Sequence, residues 1–286
     1  MSPRRFRSFL PLLPIVALLA GLLAAPAAPA AQDPEFVRHY NEGTKAYQEK
    51  RFEDALRSMD AALKVRSDLS IIWAFKGYAT FYAGRPEESL PAFDEAIRRD
   101  PKSFRAWYGR GLALNTLRRF PEATESLKKA AEIEPKRSSH WHLLGLSQLY
   151  ANRYPDALAS FERMLQLEPK RPDGWKLKGL VLFELGRYAD ALAAYDEALR
   201  LDPKAEDAWM SRGSCLVKLG RGEEAIKAYD RAIASNPFSA EALYNRAVAL
   251  HGLGRDAEAR QSLQKALAVR EDYPEARRLL ETLGKS

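Results

Sequence analysis

The side chains able to do chemistry are few and scattered. Four histidines occur, His39, His140, His142 and His251. His140 and His142 stand two apart, and on a helix such a pair points in different directions, which suits no shared metal. No nucleophile elbow, phosphate-binding glycine loop or zinc spacing is present. The acidic pairs Glu87-Glu88 and Glu223-Glu224 fall where helices are expected to begin, and carboxylates favour that positive end. The lone Cys215 forbids an internal disulfide. It stands in register with Ala79, Ala113 and Ala249, as a small buried residue does. The sequence therefore predicts no catalytic centre, no cofactor and no metal. What remains is the chemistry of a surface.

The elements that carry this surface repeat with a fixed step. Trp73, Trp107, Trp141, Trp175 and Trp209 are 34 residues apart and are all the tryptophans of the chain. Gly43, Gly77, Gly111, Gly145, Gly179 and Gly213 keep the same step, as do Pro101, Pro135, Pro169, Pro203 and Pro237. A period of this length marks a helical repeat array. Within residues 172–205, Trp175, Gly179 and Leu182 share one helix face. Gly186 ends that helix, because glycine accepts the left-handed turn past a C-terminus. Ala191, Tyr195, Ala198 and Leu199 define a second face, which Asp202-Pro203 terminates. Trp175 is bulky where Gly179, Ala191 and Ala198 are small, so the two helices are expected to lock by size.

Trp175, Gly179, Tyr188, Ala191, Tyr195, Ala198 and Pro203 together resemble the signature of the tetratricopeptide repeat family. Lys178 departs from it, standing where the family often has Leu. The resemblance extends over about residues 36–273. It implies an all-α fold, a right-handed α-solenoid of about seven helix-turn-helix repeats within 33–273. The repeats fall near 36–69, 70–103, 104–137, 138–171, 172–205, 206–239 and 240–273. The first is degenerate, with His39 for Trp and Ser67 for Pro, and the seventh fades at Leu243, Ala247 and Glu271. Pro91, inside the second helix of repeat two, predicts a kink or a late helix start. Residues 274–286 read as a capping helix, with Ala276, Leu279, Leu280 and Leu283 on one face and Arg277, Arg278 and Glu281 on the other.

The net charge of +7 argues little about partners. Arg4, Arg5 and Arg7 precede the fold, and without them 42 basic residues face 38 acidic ones. This balance gives no reason to expect nucleic acid or an anionic membrane. Those arginines, the apolar run Leu10–Ala25 and the small residues of Ala28-Pro29-Ala30 read as a secretory signal peptide over 1–30. The apolar run holds Pro11 and Pro14 and is short of the ~20 residues a spanning helix needs. Export to the periplasm is thus expected, with an uncleaved inner-membrane anchor or full secretion as the alternatives. The membrane enters only through an uncleaved leader.

The resemblance also implies that first helices line a concave groove for a protein or peptide partner. Counting one, five and eight places on from each Trp, and one beyond, gives Tyr78, Phe81 and Tyr82 in repeat two. It gives Tyr108, Leu112 and Asn115 in repeat three, and His142, Leu146 and Tyr150 in repeat four. Repeat five contributes Lys176 and Phe183, and Arg105 adds charge at the rim. Part of this face packing between adjacent first helices is the competing expectation. Some family members clamp a C-terminal carboxylate with Lys and Asn. Lys176 suits that mode, but Leu180 stands where Asn is required. An apolar peptide is expected instead. Two functions suit these features, an exported interaction scaffold or a structural subunit of an envelope secretion, pilus or polysaccharide export complex.

Overall fold

A computed structural model of the chain describes residues 33–284, so the leader read at 1–30 lies outside the described residues. Among the described residues the regular structure is entirely helical. The helices form two compact units, one ending at Leu167 and one beginning at Glu168. The first holds α1 (Pro34–Gln48), α2 (Phe52–Val65), α3 (Ser70–Tyr82), α4 (Pro86–Arg99), α5 (Phe104–Thr116), α6 (Phe120–Ile133), α7 (Ser138–Tyr150) and α8 (Tyr154–Leu167). The second holds α9 (Pro172–Glu184), α10 (Tyr188–Leu201), α11 (Glu206–Lys218), α12 (Gly222–Ser235), α13 (Ala240–Gly252), α14 (Asp256–Val269) and α15 (Pro274–Leu283). In each unit a helix packs chiefly on the helices before and after it in sequence.

Local chemistry starts and stops these helices. Asp33 caps α1, its Oδ1 accepting from the Glu35 amide at 2.9 Å and the Phe36 amide at 3.3 Å, with Pro34 in the first turn. Every first helix ends on a residue with positive φ at the same 34-residue step: Lys50, Gly84, Arg118, Asn152, Gly186, Gly220 and Gly254. After α9 the Arg187 amide reaches back to Leu182 O and the Gly186 amide to Phe183 O, both at 2.9 Å, which satisfies two carbonyls of the last turn. The next residue is arginine in all seven pairs, from Arg51 to Arg255. Arg187 pairs with Asp190 and Arg221 with Glu224, three residues into the second helix.

The size match between paired helices is real, but its partner differs from the one expected. A Cβ on Gly179 would lie 2.9 Å from the Tyr195 ring, and one on Gly145 would lie 2.6 Å from Phe161. The bulky residue sixteen places on, in the second helix, fills the space that glycine leaves. Trp175 instead stays half-buried, packed with Ala198, Leu199 and Ala208. Its indole Nε1–H donates to Pro169 O at 2.9 Å, six residues upstream. Trp73, Trp107, Trp141 and Trp209 make the same bond at the same distance to Ser67, Pro101, Pro135 and Pro203. The tryptophans thus fasten the starts of α3, α5, α7, α9 and α11 to the loops before them.

Pro91 brings no late start, since α4 begins at Pro86 and runs through it to Arg99. The carbonyl that loses a donor belongs to Glu87, in the exposed first turn, where water reaches it. Cys215 is fully buried, and burial pushes its thiol up to about 12. At the C-terminal end α15 packs on α14, with Ala276 and Leu283 buried and Arg277, Arg278 and Glu281 exposed.

Candidate functional site

In the first unit half of the predicted groove residues are buried in helix packing. Tyr78, Tyr108, Leu112, Asn115 and His142 are all buried. The Tyr78 hydroxyl donates to Arg105 O on α5 at 2.8 Å. Ser147 Oγ on α7 donates to Asn115 Oδ1 at 2.8 Å. The Tyr108 ring lies 5.1 Å from the ring of His140, which Phe104 flanks at 5.6 Å. Burial pushes the Tyr108 hydroxyl up to about 12 and the Tyr78 hydroxyl well above its ordinary value. These five residues are therefore corrected from groove wall to helix packing: all are buried, and Tyr78, Tyr108 and Asn115 each reach the next first helix. Phe81, Tyr82, Arg105, Leu146 and Tyr150 remain half-buried. Phe81 and Tyr82 pack edge to face, with centroids 4.9 Å apart, and Tyr82 stacks on Phe52. Tyr150 stacks on Phe120.

His140 is the residue that counting overlooked in this unit. It stands where other repeats carry Ala106, Ala208 and Ala242, and it is fully buried. Burial, aided by the Arg137 charge, lowers its pKa to about 4. The Ala130 and Glu134 carbonyls oppose this in part, yet neither ring nitrogen makes a hydrogen bond of acceptable geometry.

In the second unit the same face stays open. Lys176 and Phe183 on α9 are half-buried, as are Leu180 beside them, Met210 on α11 and Tyr244 on α13. Val217 on α11 is 40% exposed and Val248 on α13 is 38% exposed. Successive first helices touch here, α9 on α11 and α11 on α13. Their outward residues therefore form one apolar strip. Counting from Trp would have found Met210 and Val217 in repeat six, and Tyr244 and Val248 in repeat seven, had it continued past repeat five. Its rim is acidic at a constant step, with Asp173, Asp207 and Glu241. Lys176 Nζ bridges two of them, 2.9 Å from Asp173 Oδ1 and 2.8 Å from Asp207 Oδ2. Its pKa shift is upward: burial opposes the charge, but the paired carboxylates outweigh it together. The strip thus offers apolar contact beside negative charge. Among the described residues, no cluster of three His, Cys, Asp or Glu side chains is placed to hold a metal.

The tetratricopeptide repeat family model matches residues 76–138, 142–206, 178–238 and 210–277. The chain belongs to the tetratricopeptide repeat family. No catalytic family is indicated. The comparison with curated proteins returns no match. Among solved structures, the tetratricopeptide repeat chain resembles YrrB, described as a TPR protein with an unusual peptide-binding site. The identity is 23% over 65% of this chain and 96% of that one, with a TM-score of 0.56. It also resembles a tetratricopeptide repeat protein from Parabacteroides merdae, at 13% identity over 88% of this chain and 99% of that one, TM-score 0.60. A third likeness is to a chain of Naa15/Naa10 bound to HypK-THB, at 19% identity and TM-score 0.58, covering 87% of this chain and 39% of that one. At these identities the likenesses show the fold.

Proposed function

We propose that this tetratricopeptide repeat protein is an exported scaffold that binds a segment of another envelope protein along the outward faces of α9, α11 and α13. The observation that carries it is the apolar strip of Leu180, Phe183, Met210, Val217, Tyr244 and Val248, more open than the matching face of the first unit, where Tyr78, Tyr108, Leu112 and His142 are buried. A contiguous exposed apolar strip with a polar rim is the usual mark of an interaction surface. Asp173, Asp207 and Glu241 favour a segment whose apolar side chains are flanked by basic ones. The peptide-binding site ascribed to YrrB supports the same mode of use. Export rests on Arg4, Arg5, Arg7, the Leu10–Ala25 run and Ala28-Pro29-Ala30.

The test is site-specific photo-crosslinking in intact cells. A benzoylphenylalanine at Val248 is expected to give a discrete protein adduct, and one at exposed Lys227 on α12 is not. Adducts of equal yield from both positions, or none from Val248, would end this reading of the strip. If instead the chain is built into a complex through its other surfaces, the adduct from Lys227 dominates.

A further inference from the structure

Repeat six breaks the register in one place that the strip does not explain. Twenty-six residues after each Trp position a long side chain stands: Val65, Arg99, Ile133, Leu167, Leu201 and Val269. In repeat two that side chain covers the indole, Arg99 Cζ lying 5.4 Å from the Trp73 ring centroid. In repeat six the position is Ser235. Beside it an open cleft of about 580 Å³ is lined by Pro203, Lys204, Trp209, Arg231, Ala234 and Ser235. The side chain at this position is short, and the Trp209 ring, with Arg212 Cζ 5.7 Å from its centroid, forms part of the wall.

The charges around the cleft are uneven. Among the described residues neither the Lys204 ammonium nor the Arg231 guanidinium has a carboxylate partner. Nearby cations of the same unit are taken, Arg212 by Asp196 at 2.7 Å and Arg246 by Asp230 at 2.6 Å. The nearby acids are taken too. Asp202 Oδ1 accepts from the Lys204 amide at 3.1 Å, and Glu206 Oε2 accepts from Asn236 Nδ2 at 2.7 Å. Phe238, one loop further on, is 79% exposed, at a position where the four preceding repeats carry Lys102, Lys136, Lys170 and Lys204. Two cations without carboxylate partners thus share the cleft with the Trp209 indole, and an exposed phenyl ring stands on the following loop.

We propose that the cleft beside Trp209 is a second binding site, which takes a carboxylate side chain of an acidic, aromatic-bearing peptide segment from a partner. The carboxylate sits between Lys204 and Arg231, while the adjoining ring packs on Trp209 and toward Phe238. The cations set the polarity of the ligand, since each gains a partner it lacks in the free chain. A second copy paired two-fold through the cleft fits worse, because it would bring Lys204 and Arg231 against their own like.

The test uses the mature chain and a fluorescein-labelled peptide Glu-Asp-Phe-Glu-Asp, with Lys-Arg-Phe-Lys-Arg as the control, read by fluorescence anisotropy. The acidic peptide is expected to bind, more weakly as salt rises, and the basic one is not. Ser235→Leu restores the side chain that Leu167 and Leu201 supply in register, so it is compatible with the fold, and it should weaken binding about tenfold or more, roughly the 1.4 kcal/mol of one decade. Lys204→Ala with Arg231→Ala should weaken it comparably, and Val217→Ser with Val248→Ser should leave it unchanged. The proposal is overturned by equal binding of both peptides, by no binding of the acidic one, or by indifference to both cleft variants. It also falls if the strip variants abolish binding, or if light scattering shows a dimer that Ser235→Leu dissolves.

Discussion

At the scale of single residues, the chain holds four positions where a local rule is broken at a measurable cost. Lys50 and Arg118 occupy the left-handed turn that Gly84, Gly186, Gly220 and Gly254 fill elsewhere. A side chain there crowds its own backbone. Arg118→Gly should therefore stabilise the first unit by about 0.5–1 kcal/mol, read as a rise in urea midpoint. Asn152→Gly should gain less, since asparagine tolerates that conformation. The fourth position is His140. Its folded pKa of about 4 lies below the ordinary 6.5, so the unfolded chain takes up a proton that the folded chain refuses. Stability should accordingly fall as pH drops from 6.5 towards 4, by on the order of 3 kcal/mol in all. His140→Ala should flatten that slope, which urea titrations at pH 7.5 and 4.5 will measure.

At the scale of the helix pair, the close approach depends on glycine facing a large residue sixteen places on. Gly179→Ala pushes a methyl to 2.9 Å from the Tyr195 ring and should cost about 1–3 kcal/mol. Adding Tyr195→Leu copies the natural pairing of Ala247 with Leu263 and should recover part of the loss. Hydrogen exchange across α9 and α10 resolves both effects. The pairing of helices was legible from spacing, because glycine, proline and tryptophan punctuate every copy. The partner of each glycine was harder to read, since the largest residue of the motif, Trp175, turned outward to bond Pro169 O. The open face was partly legible. Offsets along a helix place a side chain on a face, but not whether Tyr78 or Ser147 reaches the next helix to close it. Such bridges lie between residues about thirty positions apart and leave no periodic mark.

At the scale of the whole molecule, the charge pattern and the leader make separate demands. Across hairpin joints, Lys76–Asp60, Arg110–Asp94, Arg212–Asp196 and Arg246–Asp230 recur in one register, at 2.6–2.7 Å. The carboxylates are about half exposed and the cations less so, so each pair is partly screened and contributes about 0–1 kcal/mol, less at high salt. The array is therefore held mainly by apolar packing, and raising salt to 1 M should leave its unfolding midpoint close to unchanged. If the chain is exported as proposed, mass spectrometry of the protein recovered from cells should begin it at Ala31; a mass retaining Met1–Ala30 would argue for an anchored form. The backward bond from each tryptophan to the carbonyl six residues upstream has an evolutionary corollary. Excising any 34 consecutive residues within the run from Trp73 to Trp209 leaves every surviving indole with an acceptor at the same distance along the chain. A loss of one residue more or fewer whose scar falls between a tryptophan and its acceptor moves that carbonyl out of place. Whole steps are thus the changes of length that leave these bonds in place wherever the cut falls, much as a chain is altered by the link.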